Sequence, residues 1–172
     1  MNISLIRIVE STTVDGPGLR TTVYAAGCRH YCTGCHNPQT WDIEKGIPTD
    51  TDDIANKILA NSFENVTFSG GDPMYQAEAF AELAQKIKSR SKKNIWCYTG
   101  FCIETLLQNV QYIPLLENID VLVDGPFIIA ERDTSLLFRG SKNQRIIDVP
   151  ATLRTNKVVE YKPLSTFNAL LK

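Results

Sequence analysis

Apolar, β-branched runs alternate along the chain with longer segments whose apolar residues recur at helical spacing. The runs predict six strands, at residues 3–9, 20–26, 65–69, 94–98, 119–124 and 144–149. The helical pattern covers residues 51–62, 76–90 and, more weakly, 101–109. This alternation is typical of repeated β-α units, and it predicts an α/β fold with about six mainly parallel strands.

The two stronger helices carry signals at their ends as well as on their faces. Residues 49–51 precede the first helix and offer side-chain oxygens as N-terminal caps. The second helix has an apolar stripe and collects Lys86, Lys88 and Arg90 near its C-terminus, where cations suit the helix dipole.

The length of the chain limits the architecture. A full eight-fold barrel needs about 250 residues, whereas this chain has 172. We therefore expect a partial (β/α) barrel within a single domain, residues 1–172, in which residues 156–172 receive no assigned element. Sites in such folds lie at the C-terminal ends of the strands.

Composition and charge narrow the class of protein. Lys and Arg total 18 and Asp and Glu total 19, a net charge of -1 with a pI near 6.1, so no global field favours nucleic acid or an anionic membrane. The apolar runs are too short to span a bilayer, and the N-terminus lacks the pattern of a signal peptide. The expected location is the cytoplasm.

The strongest chemical signal is a crowded group of cysteines. Three of the five cysteines, Cys28, Cys32 and Cys35, lie within eight residues directly after a predicted strand. Disulfide frameworks spread their cysteines to close loops, so this spacing favours a metal centre. Three thiolates converging on an iron-sulfur cubane would leave one iron open to a substrate.

The spacing alone leaves other kinds of site open. A structural zinc site completed by His30 or His36 is one alternative, since zinc commonly takes three cysteines and one histidine. A simple iron-sulfur electron carrier is another, although it needs four protein ligands. Cys97 and Cys102 are expected to be buried, inert thiols.

Further motifs connect the cysteines to a known family. They are Asp15–Arg20 (DGPGLR), Cys35–Pro38 (CHNP), Ser69–Pro73 (SGGDP), Tyr98–Phe101 (YTGF), Val123–Phe127 (VDGPF) and Phe138–Arg145 (FRGSKNQR). With the C-x3-C-x2-C loop, this set resembles the radical S-adenosylmethionine superfamily. Within it, the chain is similar to the activating proteins of anaerobic ribonucleoside-triphosphate reductase, over roughly residues 15–148.

The resemblance implies cofactors and site residues. Cys28, Cys32 and Cys35 would bind a 4Fe–4S cluster. S-adenosylmethionine would place its amino group against Gly70, Gly71 and Asp72, and its adenosyl part against Gly34, Cys35 and His36. Many superfamily members carry an aromatic residue where this chain has Gly34, so His36 or Tyr98 is the candidate for contact with adenine.

The resemblance also implies an activity and partners. The cluster would cleave S-adenosylmethionine reductively, and the resulting 5′-deoxyadenosyl radical would abstract hydrogen from a glycine on the large subunit of the reductase. An electron donor such as a flavodoxin would supply the electron. The alternatives are an activase of a different glycyl-radical enzyme and a non-enzymatic zinc or iron-sulfur protein.

Some polar residues have two interpretations. Asp72 and Asp124 are either acid-base groups or structural residues at a turn and a strand end. Arg139, Lys142 and Arg145 are either a docking edge or a solvated basic cluster.

Overall fold

The computed structural model describes residues 1–162. Its seven strands are β1 (Asn2–Thr12), β2 (Arg20–Ala25), β3 (Ile47–Asp50), β4 (Asn65–Gly70), β5 (Ile95–Tyr98), β6 (Val121–Asp124) and β7 (Arg145–Asp148). Its α-helices are α1 (Thr51–Ala60), α2 (Ala77–Arg90), α3 (Ile103–Leu107), α4 (Ile113–Leu116) and α5 (Val149–Thr155). Short 3₁₀ helices cover Pro38–Thr40, Ile43–Lys45, Pro73–Gln76, Val110–Tyr112 and Ile129–Glu131.

All seven strands form one mixed sheet in the order β3-β1-β2-β4-β5-β6-β7. The central strands β2, β4, β5 and β6 are parallel to one another, whereas β1 pairs antiparallel with β2 and β3, and β7 pairs antiparallel with β6. The α/β class is confirmed. The expectation of about six mainly parallel strands is corrected to seven strands that are parallel only in the middle, and the sheet is open, with β3 and β7 at its edges.

The unpredicted strand β3 lies at one edge of the sheet. Its sequence, Ile-Pro-Thr-Asp, contains a proline, and no residue of it is fully buried. Proline removes a ladder donor and is tolerated at sheet edges, so the local pattern gives little strand signal here. Pairing with β1, which is 11 residues long, creates the strand.

The larger core packs the helices against one face of the sheet. Asp50 caps α1 by accepting from the backbone N–H of Asp52 at 2.7 Å, which confirms the cap predicted at residues 49–51. The longest helix, α2, buries Phe80 and Ile87 completely against β4 and its neighbours. The helices therefore cover one face, as the apolar stripes predict.

A smaller apolar cluster lies on the opposite face, centred on Trp96, Val121 and Val123. Alternation along β5 sends Trp96 to this face and Cys97 to the helical face. Part of residues 156–172, to which the sequence analysis assigned no element, packs against this cluster. The Tyr161 ring lies 5.4 Å from the Trp96 ring, and the Tyr161 N–H donates to the carbonyl of Ile146. Residues 163–172 lie outside the described residues.

The parallel strands define where a site can form. The segments that follow β2, β4, β5 and β6 all leave the sheet at its C-terminal edge, and each carries one of the motifs noted in the sequence. Among residues 1–162, no helix is long and apolar enough to cross a membrane.

Candidate metal centre

A cleft of about 430 Å³ opens at the C-terminal edge of the parallel strands. Cys28, Cys32 and Cys35 line it, and so do Gly70 and Gly71 at the end of β4. Thr99, Gly100, Gly125 and Phe127, from the segments after β5 and β6, complete the wall. The structure therefore brings together in one cleft the cysteine loop, residues 28–35, and the glycine turn, residues 70–72, which lie about 35 residues apart in the chain.

The cysteine loop begins with a sharp departure from β2. Gly27 has φ +91°, a conformation that glycine adopts without strain. Its N–H donates to the carbonyl of Thr40 at 2.7 Å, and the N–H of Cys28 donates to that of Trp41 at 3.0 Å. The returning chain thus ties down the base of the loop.

The three thiols are free and unequally exposed. Cys28 is buried, with 8% of its surface exposed, while Cys32 and Cys35 are partly exposed. Their sulfur atoms do not all lie within 4.8 Å of one another. In a tetrahedral zinc site with Zn–S bonds of about 2.3 Å, sulfurs stand roughly 3.8 Å apart. At least one pair of these sulfurs is therefore farther apart than the sulfurs of such a zinc site.

The electrostatics of the loop favour a cation. Burial, together with the nearby Asp72 carboxylate and the other two thiols, raises the pKa of Cys28 to about 11. A backbone contribution from His30 acts in the opposite direction and lowers this pKa. A thiolate here therefore needs positive charge, which iron supplies. The N–H of Asn37 already points at the sulfur of Cys35 from 3.4 Å, as backbone donors do around cluster thiolates.

Neither histidine of this region is arranged as a fourth ligand to the thiols. The His30 ring lies 4.6 Å from the Phe101 ring, and its Nε2 is 2.8 Å from Asp72 Oδ2. His36 is exposed, and its ring lies 5.2 Å from that of Phe127. The zinc site completed by a histidine therefore finds no support in these contacts.

The glycine turn approaches the cysteine loop through its backbone. A Cβ on Gly71 would lie 2.4 Å from the carbonyl oxygen of Gly27, and one on Gly70, which has φ +104°, would lie 2.4 Å from the backbone N of Ala25. The turn tolerates only glycine at both positions. Among the described residues, no donor contacts the Gly71 carbonyl, so this oxygen can accept from a ligand.

The two aspartates of the motifs serve the protein framework through their side chains. Asp72 is buried and caps the 3₁₀ helix after it by accepting from Met74 N–H at 2.9 Å. Asp124, at the end of β6, accepts from Ile103 N–H at 2.8 Å and pairs with Arg145. The structural interpretation therefore describes both carboxylates better than an acid-base role does.

Phe127 is a cleft residue to which the sequence analysis gave no role. Its ring would be 3.6 Å from a Cβ on Gly34, and the Ile129 side chain would be 2.6 Å from that Cβ. The segment after β6 thus fills the space that Gly34 leaves open. The signals available in the sequence were its place in the Val123–Phe127 motif and its position two residues beyond the glycine that follows β6.

The predicted basic cluster does not act as one group. Arg139 lines the cleft and donates to the carbonyl of Gln144 at 2.7 Å. Lys142 is exposed, with Asp133 at 3.7 Å. Arg145 pairs with Glu104 and Asp124, so it belongs to the framework.

The remaining predicted positions have mixed outcomes. Tyr98 lines the cleft, but its hydroxyl donates to the carbonyl of Phe138 at 2.9 Å, and burial raises its pKa far above the usual value. Cys97 is buried as predicted. The prediction for Cys102 is wrong, because this thiol is exposed ahead of α3.

Comparison with known proteins gives consistent matches. A family model described as a 4Fe-4S single cluster domain matches residues 14–147. Three relatives bear the name anaerobic ribonucleoside-triphosphate reductase-activating protein. The protein from Vibrio cholerae serotype O1 is 40% identical over 77% of this chain and 90% of its own length. The proteins from Escherichia coli strain K12 and phage T4 are 36% and 33% identical, over 76% and 81% of this chain and 89% and 90% of theirs.

Proposed function

The chain belongs to the family of the anaerobic ribonucleoside-triphosphate reductase-activating proteins, and on that premise we propose that it is a radical S-adenosylmethionine enzyme. Cys28, Cys32 and Cys35 would hold one 4Fe–4S cluster. The observation that carries the proposal is the shared cleft, where three free thiols of one loop face a glycine turn that can contact a ligand through its backbone.

When bound, the cluster would supply the electron for reductive cleavage and an iron open to the substrate. The protein's part is to hold S-adenosylmethionine. The carbonyls of the glycine turn accept from its amino group, since no side chain stands between the backbone and the ligand there. Gly34 to His36 lie against its adenosyl part, in the space that Phe127 borders.

The reaction balances as a one-electron cleavage followed by hydrogen transfer. One electron splits the sulfonium bond to give methionine and a 5′-deoxyadenosyl radical. This radical takes a hydrogen atom from a backbone glycine of anaerobic ribonucleoside-triphosphate reductase, leaving 5′-deoxyadenosine and a glycyl radical. No general base is needed, which agrees with the structural roles of Asp72 and Asp124.

The type of barrel, the domain bounds, the electron donor and the cellular compartment belong to the same proposal. The open sheet would be the partial barrel of the radical S-adenosylmethionine type, within one activase domain over residues 1–172. A flavodoxin would deliver the electron. A reducing compartment such as the cytoplasm suits five free cysteines.

Anaerobic reconstitution with iron and sulfide tests the cofactor. We expect a brown protein with four irons per chain, bleached by oxygen, whose reduced EPR signal changes when S-adenosylmethionine is added. A colourless protein that holds stoichiometric zinc in air would overturn the proposal, and a signal insensitive to S-adenosylmethionine would favour an electron carrier.

Mixing with candidate partners tests the substrate. With a reductant, S-adenosylmethionine and the reductase, we expect the EPR doublet of a glycyl radical. A doublet that forms only with a different glycyl-radical enzyme would correct the partner and leave the chemistry in place.

A further inference from the structure

The Asp72 carboxylate joins three separate segments of the chain. It is 1% exposed, and its Oδ1 accepts from the N–H of Met74 at 2.9 Å. Its Oδ2 is 2.8 Å from His30 Nε2, 2.9 Å from Thr99 Oγ1 and 3.0 Å from Gly100 N. Four protein groups thus lie within hydrogen-bond distance of a carboxylate that offers about four acceptor positions. This side chain is therefore committed to the framework and not to a ligand.

The partner of this carboxylate in the cysteine loop is His30, whose ring packs against neighbouring side chains and backbone. Phe101 lies edge-on at 4.6 Å between centroids, and Tyr75 lies at 5.7 Å. A Cβ on Gly100 would come within 2.5 Å of the imidazole, so the chain passes against the ring. The imidazole consequently has one position, with Nε2 aimed at Asp72.

His30 is itself part of the cysteine loop. It lies between Cys28 and Cys32, two residues from each. Its side chain reaches across 42 residues of sequence to Asp72, the last residue of the glycine turn. One residue thus connects the cysteine loop to the turn.

A backbone contact joins the same two segments at a second point. The N–H of Asp72 donates to the carbonyl of Gly27 at 2.8 Å, and Gly71 packs against that carbonyl. This contact fixes only the base of the loop. The bond from His30 fixes its middle, where displacement would move Cys28 and Cys32 relative to the turn.

We propose that His30 and Asp72 are a positioning pair, which holds the cysteine loop and the glycine turn at a fixed separation so that the bound S-adenosylmethionine meets the open iron in one alignment. This inference rests on the proposed function. It assigns to both side chains a role through other groups, because Asp72 is buried and His30, which lines the cleft, directs its Nε2 at Asp72.

The test compares donor-keeping and donor-lacking variants of the holoprotein. His30→Leu fills similar space but has no donor, whereas the side-chain amide of His30→Gln still presents an N–H to Asp72. For His30→Leu we expect unchanged iron per chain and a dissociation constant for S-adenosylmethionine, measured by EPR titration of the reduced cluster, that rises roughly 10- to 100-fold, the usual cost of losing an outer partner of a metal site. His30→Gln should recover most of that affinity.

A remote carboxylate provides the matched control. Asp120 also accepts from a cation, Lys88, and from a backbone donor, the N–H of Ile95. It lies at the N-terminal ends of β5 and β6, opposite the edge that carries the cleft. Asp120→Asn should lower the melting temperature and leave the EPR titration as in the wild type. If His30→Leu likewise changes only the melting temperature, the pair is merely structural and the proposal is wrong.

A milder variant covers the case in which His30→Leu does not assemble the cluster. Thr99→Val removes a different donor to Asp72 Oδ2 and leaves the cysteine loop untouched. It should weaken binding of S-adenosylmethionine in the same direction by a smaller factor, and wild-type affinity in this variant would contradict the proposal. A wild-type signal that ignores S-adenosylmethionine would instead remove the proposed function, and the pair would then have no ligand to position.

Discussion

Each thiol of the cysteine loop binds one iron in the proposed cluster, whereas Cys102 lies outside the loop and is exposed. Replacing Cys28, Cys32 or Cys35 by Ala should therefore abolish the cluster, because two thiolates do not retain a cubane. Iron analysis and the visible spectrum after anaerobic reconstitution measure this. Cys102→Ala is the control and should reconstitute like the wild type; an intact cluster in Cys32→Ala would refute the ligand assignment.

Arg20 is a second residue whose environment predicts a large effect. It is fully buried, its Nε donates to Thr67 Oγ1 at 2.6 Å, and its Nη2 donates to the carbonyl of Val66 at 2.5 Å. No carboxylate of the described residues lies within ion-pair distance, and burial lowers its pKa to about 10. The guanidinium thus donates several hydrogen bonds, which link β2 to β4 and to the start of β5.

Arg20→Lys should destabilise the protein, because one ammonium cannot reach the same acceptors. We expect a loss of about 3 kcal/mol in the free energy of unfolding, from buried acceptors left without donors. Urea unfolding of the apoprotein measures it. A loss below that of an exposed substitution such as Lys142→Arg would show that the buried bonds contribute little.

At the scale of elements, an ion-pair network ties helix α3 to strands β6 and β7. Arg145 pairs with Glu104 on α3 at 2.8 Å and with Asp124 at the end of β6. The guanidinium holds the pKa of Glu104 at about 2, below its usual 4.5. A depressed carboxylate pKa stabilises the fold above the unfolded-state value, and this contribution is lost as the pH falls from about 4.5 to about 2.

Glu104→Gln should accordingly lower stability at pH 7, and the difference from the wild type should shrink through that acid range. The effect is small because half of the Glu104 side chain is exposed. Urea unfolding at a series of pH values gives the comparison. Glu117→Gln, an exposed glutamate with no ion pair among the described residues, is the control. A constant difference across the series would contradict the assignment.

At the scale of the whole molecule, the core does not depend on the cluster. The largest buried side chains belong to the strands and to helices α1, α2 and α3, whereas the cysteine loop contributes only Cys28 to the buried apolar set. Zinc fingers differ, since their folding requires the metal.

Anaerobic removal of iron by a chelator should thus lower the melting temperature and preserve the secondary structure. The bound cluster stabilises only the native state, so its loss removes that contribution by mass action. Far-UV circular dichroism and a thermal melt of the two forms measure this. Collapse of the spectrum on chelation would mean that the cluster is structural.

Sequence pattern alone predicted the elements that dominate the core. The runs at residues 20–26, 65–69, 94–98 and 119–124 became the four parallel strands, because β-branched and aromatic residues favour the strand conformation. The crowding of Cys28, Cys32 and Cys35 likewise predicted a metal centre, since ligand spacing is a local property. The glycines of residues 70–71 pack against the backbone of Ala25 and Gly27, and their predicted contact with S-adenosylmethionine stays a prediction.

Tertiary structure decided what depends on distant partners. Strand β3 exists because β1 offers an edge, and the antiparallel direction of β7 follows from its pairing with β6. The direction of the Asp72 carboxylate toward His30, 42 residues away, and the place of Phe127 beside Gly34 are likewise absent from any local pattern. Periodicity encodes which side of an element is apolar, but only packing selects the neighbour that each side chain meets.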